Sequence, residues 1–282
     1  MEETHQEIKG DWQMKELIKA LCPPLLSSIR ARFKGGQVRW DGNYTSFEEA
    51  AVNCSGYDDA GIVNSVANAL RRVMDGSVNY ERDGVCFSDH EIRGVCLAAV
   101  LLARSGSSDR PVVVDFGGSL ASSWWQHRNA IGFPCDWRVV EQPSFVAAGR
   151  ELFSGHFPGI KFFHSVDEAL DDHAEVGLAL FSAVLHYLPD PLRMLQAVLA
   201  KRPRYLLIER TPEISGAERI CIQSVPSSIY SANYPCRIFA SGAIPRMVGD
   251  AYELIGSEDS LDRCNIPGVR FRAWLFRRKD LP

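Results

Sequence analysis

The chain has 282 residues, 46% of them hydrophobic and 23% charged, with a formal net charge of −4. That length can bury a sizeable core in one large domain, or in one domain with a substantial extension. The slight acidity favours neither nucleic acid nor an anionic membrane surface, and the longest apolar run, residues 95–103, falls far short of the ~20 residues that span a bilayer. The acidic, polar start is unlike a secretory signal. Eight cysteines form no C-x-x-C pair, so neither a zinc site nor a disulfide framework is indicated. The expectation is a soluble protein of a reducing cytoplasm.

Residues 1–106 read as a helical extension and cap. Leu17, Ile18, Leu21, Leu25, Leu26 and Ile29 form an apolar stripe broken by Pro23-Pro24. The basic segment 30–34 after it reads as a solvated turn beside a docking helix, a membrane-surface anchor being the alternative. Ser46 to Glu49 has capping-box spacing and opens a short helix. Ile62, Val66, Ala69, Leu70 and Val73 recur at helical spacing until Asp75-Gly76 stops them. Ser88 to Glu91 is a second capping box, for a helix running to Arg104.

From Pro111 strands and helices alternate, the pattern of a parallel sheet covered on both faces, over a domain spanning 107–282. Val112, Val113 and Val114 form a short buried strand that ends on Asp115. Gly117 and Gly118 permit a tight turn and close backbone approach. Residues 119–129 read as the next helix, its first N–H groups facing whatever sits over the glycines. A dinucleotide fingerprint is missing, because Ser119 and Ser122 stand where its second and third glycines belong, and no nucleoside-triphosphate loop occurs. A carboxylate at the strand end suits a ligand with a cationic head, such as the amino group of S-adenosylmethionine. The second strand, Trp137 to Glu141, ends on an acid ~20 residues past the glycine turn, the place of a ribose-hydroxyl acceptor. A Ser144-capped helix follows. Gln142, Ser165, Val166 and Phe181, at neighbouring strand ends, complete the expected cofactor-binding set with Asp115, Gly117, Gly118, Ser119 and Glu141.

Ile160 to Phe163 is the third strand, with Ser165 capping the helix after it, and Val176 to Phe181 is the fourth. His186 follows on the ligand edge, the best placed of the seven histidines for a general base. The alternative is a loop histidine packed beside Tyr187. Asp190-Pro191 opens a helix whose buried face carries Leu192, Leu195, Val198 and Leu199. Tyr205 to Ile208 is the fifth strand, and Tyr252–Ile255 pairs antiparallel with Val269–Phe276. Five parallel strands plus a terminal antiparallel pair outline a Rossmann-like α/β fold of class I methyltransferase type. The segment at about 212–248 reads as a lid insertion. Acceptor contacts are expected from the regions outside the sheet and the strand ends, namely Tyr80, Arg82, Arg210, Tyr230, Tyr234 and Arg237. Tyrosine faces hold sugar rings, and guanidinium groups clamp phosphate or carboxylate.

Successive blocks carry a family resemblance: GNYTSFEEA, SGYDDAGIV, YERDGVCF, VVVDFGGSLASS, VVEQPSFV, FSAVLHYLPDP, LLIERTP, VPSSIYSANYPC and DSLDRCNIP. Over Gly42 to Phe276 the chain resembles the S-adenosylmethionine-dependent methyltransferases encoded in bacterial surface-polysaccharide loci. The resemblance implies S-adenosylmethionine as cofactor and a sugar or glycan precursor as acceptor, and no metal site is expected. The chain departs from that pattern at Ala121, where glycine is usual, and at His186, where glutamine is. A binding protein that keeps the fold without catalysis, and a nucleotide-sugar enzyme using a dinucleotide, stay open as alternatives.

Overall fold

The structure, a computed structural model, describes residues 38–54, 60–105 and 110–281. The stripe at residues 17–29 and the basic segment after it lie outside these residues. In chain order the elements begin with β1 (Arg39–Tyr44), α1 (Phe47–Ala51), α2 (Ala60–Met74), β2 (Tyr80–Arg82), β3 (Val85–Phe87) and α3 (Gly94–Ser105). There follow β4 (Val112–Phe116), α4 (Ser122–Ile131), β5 (Asp136–Val140), α5 (Pro143–Phe153), β6 (Ile160–Phe163), α6 (Val166–Ala169) and β7 (Val176–Ser182). A 3₁₀ turn (Leu185–Tyr187), α7 (Pro191–Leu199), β8 (Tyr205–Ile214), β9 (Arg219–Val225), β10 (Ala232–Ala240), α8 (Ala243–Val248), β11 (Tyr252–Asp259) and β12 (Arg270–Arg278) complete the chain.

The central sheet runs β6-β5-β4-β7-β8-β12-β11, parallel from β6 to β8, with β12 antiparallel to both β8 and β11. This is the class I methyltransferase order that the sequence outlines. Successive strands leave β4 in opposite directions, towards β5 on one side and β7 on the other, which makes the carboxyl end of β4 the ligand-binding switch point of such a sheet. Alternation along β7 explains why both faces are covered. Leu178 and Leu180 join the apolar cluster under α3 and α5, while Ala179 and Phe181 join the one on the opposite face. Each large side chain buried this way contributes about 1.5–3 kcal/mol.

Local signals place several helices where the spacing predicts. The Ser46 hydroxyl accepts from Glu49 N, that of Ser165 from Glu168 N, and the Asp190 carboxylate from Arg193 N. Ile62, Val66, Ala69, Leu70 and Val73 are all buried.

Elsewhere the structure corrects the reading. The region before residue 107 is not wholly helical, since it contributes β1 and the β2–β3 hairpin. β1 pairs antiparallel with β9, β9 with β10, and β10 runs parallel to the end of β8 at Phe239–Glu213 and Ala240–Ile214. Both the cap and the insertion therefore extend the sheet instead of standing outside it. The second capping box starts no helix, because Glu91 instead accepts from Tyr80 and Arg82, and α3 opens only at Gly94. α5 has Gln142 as its N-cap and Pro143 in its first turn, so Ser144 is not the cap. Leu192 is 41% exposed, one position off the buried stripe of α7. Among the described residues, no helix is long and apolar enough to cross a membrane.

Candidate functional site

A cavity of about 1530 Å³ lies over the carboxyl ends of β4, β5, β6 and β7. It exceeds the ~300–1,000 Å³ of a usual ligand pocket and so has room for two small molecules. The strand ends floor it, and the β2–β3 hairpin, the β9–β10 extension and the β11–β12 connection wall it.

The ligand turn is tighter and longer than the spacing predicts. Gly117, Ser119 and Ala121 all adopt left-handed backbone, at φ 67°, 55° and 60°, and α4 begins only at Ser122. A Cβ on Gly117 would lie 2.3 Å from Val184 Cγ2, so the bare glycine lets the loop after β7 close against the turn. Ser119 lines the cavity, and its buried hydroxyl has no hydrogen-bond partner in the structure. Glu141 faces it from the end of β5. Its Oε1 accepts from Ser119 N at 3.1 Å and its Oε2 from Gln142 N at 2.7 Å. Gln142, Ser165 and Val166 line the same end, next to Phe116.

Asp115 is placed differently from the expectation. Its side chain is fully buried, does not line the cavity, and accepts from the Trp137 indole N–H at 2.9 Å. Gly118 sits directly over it: a Cβ there would lie 2.5 Å from the Asp115 carboxyl carbon. Burial, partly offset by the indole hydrogen bond, pushes this carboxyl up to about 7. Asp115 packs beneath the turn and off the cavity lining. Phe181 is likewise off the cavity, stacked under Phe116 with ring centroids 5.2 Å apart.

The opposite half gathers Arg82, Arg210, Tyr230, Tyr234 and His186. Arg82 donates to Glu91 at 3.1 Å. Arg210 forms two hydrogen bonds to Asp262, at 3.1 and 3.2 Å. Gln223 bridges two tyrosines, accepting from Tyr187 at 2.9 Å and donating to Tyr234 at 3.0 Å. His186 is buried in the 3₁₀ turn, stacked on Trp40 and packed against Tyr187 and Phe271, and its Nδ1 has no partner. Burial, with the neighbouring Arg210 charge, pushes its imidazole down to about 3, so it is neutral at physiological pH. Tyr80 and Arg237 do not belong to this wall. Tyr80 is buried against Phe87 with its hydroxyl on Glu91, and Arg237 pairs with Glu218 and donates to Pro189 O without lining the cavity itself.

Several residues of the site are not legible in the sequence. Trp40 and Gln223 line the cavity from segments with no motif of their own, and Asp262 lies in the block DSLDRCNIP without being singled out there. Behind it, Arg93, just before α3, pairs with the buried Glu209 and donates to Ser182 at 2.9 Å and Ser123 at 3.1 Å, tying the start of α3 and α4 to the end of β7 and the middle of β8. Among the described residues, no cluster of three His, Cys, Asp or Glu side chains could hold a metal.

No protein-family model and no curated protein matches the chain. Among solved structures it is similar to the Burkholderia thailandensis 1,6-didemethyltoxoflavin-N1-methyltransferase with bound 1,6-didemethyltoxoflavin and S-adenosylhomocysteine, at 15% identity over 88% of this chain and 98% of that one, TM-score 0.48. It is also similar to the CcbJ methyltransferase from Streptomyces caelestis, at 11% identity over 79% and 99%, TM-score 0.45. A third is the N-terminal domain of EvdMO1 in the presence of SAH and D-fucose, at 10% identity over 75% and 96%, TM-score 0.46.

Proposed function

We propose that this chain is a methyltransferase that uses S-adenosylmethionine and acts in the cytoplasm on a sugar or glycan precursor of surface-polysaccharide synthesis. The observation that carries the cofactor reading is Glu141. Its carboxylate stands at the end of β5, lines the cavity and already holds the ligand turn through Ser119 N, the place in such a sheet where an acid accepts from ribose hydroxyls. The Ser119 hydroxyl, buried and unpartnered on the same side, offers a further polar contact.

When bound, S-adenosylmethionine supplies a methyl group on a positively charged sulfur. The protein's part is then orientation and exclusion of water. Glu141, Gln142, Ser165 and Val166 hold the cofactor end, while Tyr230 and Tyr234 offer ring faces to an acceptor. His186 orients an acceptor hydroxyl through a hydrogen bond and takes no proton from it, because an imidazole held at about 3 is a weak base. The acceptor class rests on the family resemblance and on the room left in the cavity beyond one cofactor.

Isothermal titration of the purified protein with S-adenosylmethionine and with NAD tests the cofactor. Binding of the first and not the second is expected, and the reverse overturns the reading. Turnover of methyl-labelled donor against sugar precursors separates an enzyme from a binding protein.

A further inference from the structure

Arg210 interrupts β8. Its φ of 54° is left-handed, a conformation costly for any residue but glycine. The pairing with β12 shifts at the same place: Trp274 faces Ile208 and Arg272 faces Thr211, so Glu209 and Arg210 together oppose Ala273 alone. Two residues against one is a β-bulge, a device that re-aims a side chain. Glu209 turns to Arg93, and Arg210 joins the cavity wall.

The Arg210 guanidinium has two carboxylate neighbours, and they differ. Asp262 is buried and takes two hydrogen bonds. Asp83, in the turn of the β2–β3 hairpin, stands 3.6 Å away with its side chain 54% exposed, too far for a good hydrogen bond. An ion pair of that kind is worth little and exchanges readily. Arg82, the neighbouring residue, lines the same cavity with its side chain about nine-tenths buried, like that of Arg210. Burial first, and then the Arg210 charge, push the Arg82 pKa down. Two buried arginines facing one cavity suit a planar or tetrahedral oxyanion.

We propose that Arg82 and Arg210 form an anion subsite, and that Asp83 occupies the anion's place on Arg210 until a phosphate or carboxylate group displaces it. The subsite does not depend on the function proposed above.

The test is titration of the full-length protein with inorganic phosphate and, separately, with acetate, followed by the arginine Nε–H signals in NMR spectra. Asp83→Asn keeps the turn, because asparagine tolerates left-handed backbone better than most residues. It is expected to raise affinity for one or both anions about two- to fivefold, the equivalent of one part-exposed ion pair. Arg210→Lys, which keeps the charge beside Asp262 but loses the fork, is expected to lower it about tenfold. A response to phosphate alone assigns a phosphorylated ligand, and a response to acetate alone a carboxylated one. Unchanged affinity for both anions in Asp83→Asn, or in Arg210→Lys, overturns the proposal. S-adenosylhomocysteine binding measured on the same samples judges the cofactor reading separately.

Discussion

The Trp137 indole donates to Asp115 at 2.9 Å, and both side chains are fully buried beneath the ligand turn. Removing either partner leaves a buried polar group unsatisfied, at a cost of about 1–3 kcal/mol. Trp137→Phe and Asp115→Ala should therefore lower unfolding free energy in urea by that order. Loss of S-adenosylmethionine affinity should accompany the loss of stability, because Asp115 acts through the turn. A large affinity loss at unchanged stability would show that the carboxylate meets the ligand directly.

Glu141 is the counterpart on the cavity side. Glu141→Gln keeps the size but replaces one acceptor oxygen with a donor. S-adenosylhomocysteine binding should weaken by about 1.5–3 kcal/mol, the worth of a hydrogen bond to a charged group. Calorimetric titration reads it, and an unaltered dissociation constant would remove the ribose role.

Gly117 and Gly118 should fail for different reasons. Gly117→Ala meets Val184 and must also hold φ +67°, a left-handed cost of about 1–2 kcal/mol. Adding Val184→Ala should relieve only part of the collision, because the Val184 Cβ itself would lie at 2.8 Å, and none of the backbone cost. Gly118→Ala instead strikes the Asp115 carboxyl group, and Val184→Ala should not relieve it. Thermal unfolding of the four variants separates these cases.

His186→Gln tests the imidazole through pH. Its folded pKa is about 3 against the ordinary 6.5, so the folded state binds fewer protons between those values. Stability is fully present above pH 6.5 and falls as pH drops towards 3, by up to about 1.4 kcal/mol per pH unit. His127, also held at about 3 by burial, contributes with the same sign. Asp115 and Glu81, both raised to about 7, contribute with the opposite sign across the same acid range. The variant minus the parent should thus show one histidine's worth of lost acid sensitivity in unfolding measured from pH 7 to 4. Turnover should stay within about tenfold of the parent, whereas a proton-abstracting role demands a drop of roughly 10²–10⁴.

The parts of the site read from sequence are those with local signatures. The run Ile160 to Phe163, the acid after Val140 and the capping serine at 165 each announce themselves within five residues. What escaped was set by partners far along the chain. β1 buries only Trp40 among its six residues, so it shows no alternation to read. Glu91 has capping-box spacing, yet Tyr80 and Arg82 claim its carboxylate. Arg93 reaches Glu209 across 116 positions, and no motif records such a pair.

Arg237 supplies a control. It is expected as a phosphate clamp, but it pairs with Glu218 outside the cavity. Arg237→Ala should shift stability by about 1 kcal/mol or less and leave acceptor turnover near that of the parent. A large selective loss of turnover would mean that the acceptor extends beyond the cavity walls.

The Trp40 backbone N–H donates to Asn265 Oδ1 at 2.7 Å, and Asn265 Nδ2 donates back to the Trp40 carbonyl at 3.0 Å, across 225 positions. During synthesis at ~5–20 residues per second, Trp40 waits on the order of ten seconds or more for that partner. The strands from β4 to β8 can pair earlier, because each finds a neighbour within a few tens of residues. The parallel strands beneath the ligand turn can thus pair before Trp40 is fixed in the opposite wall. Chains ending before Asn265 would lack the pair of hydrogen bonds that holds Trp40 there.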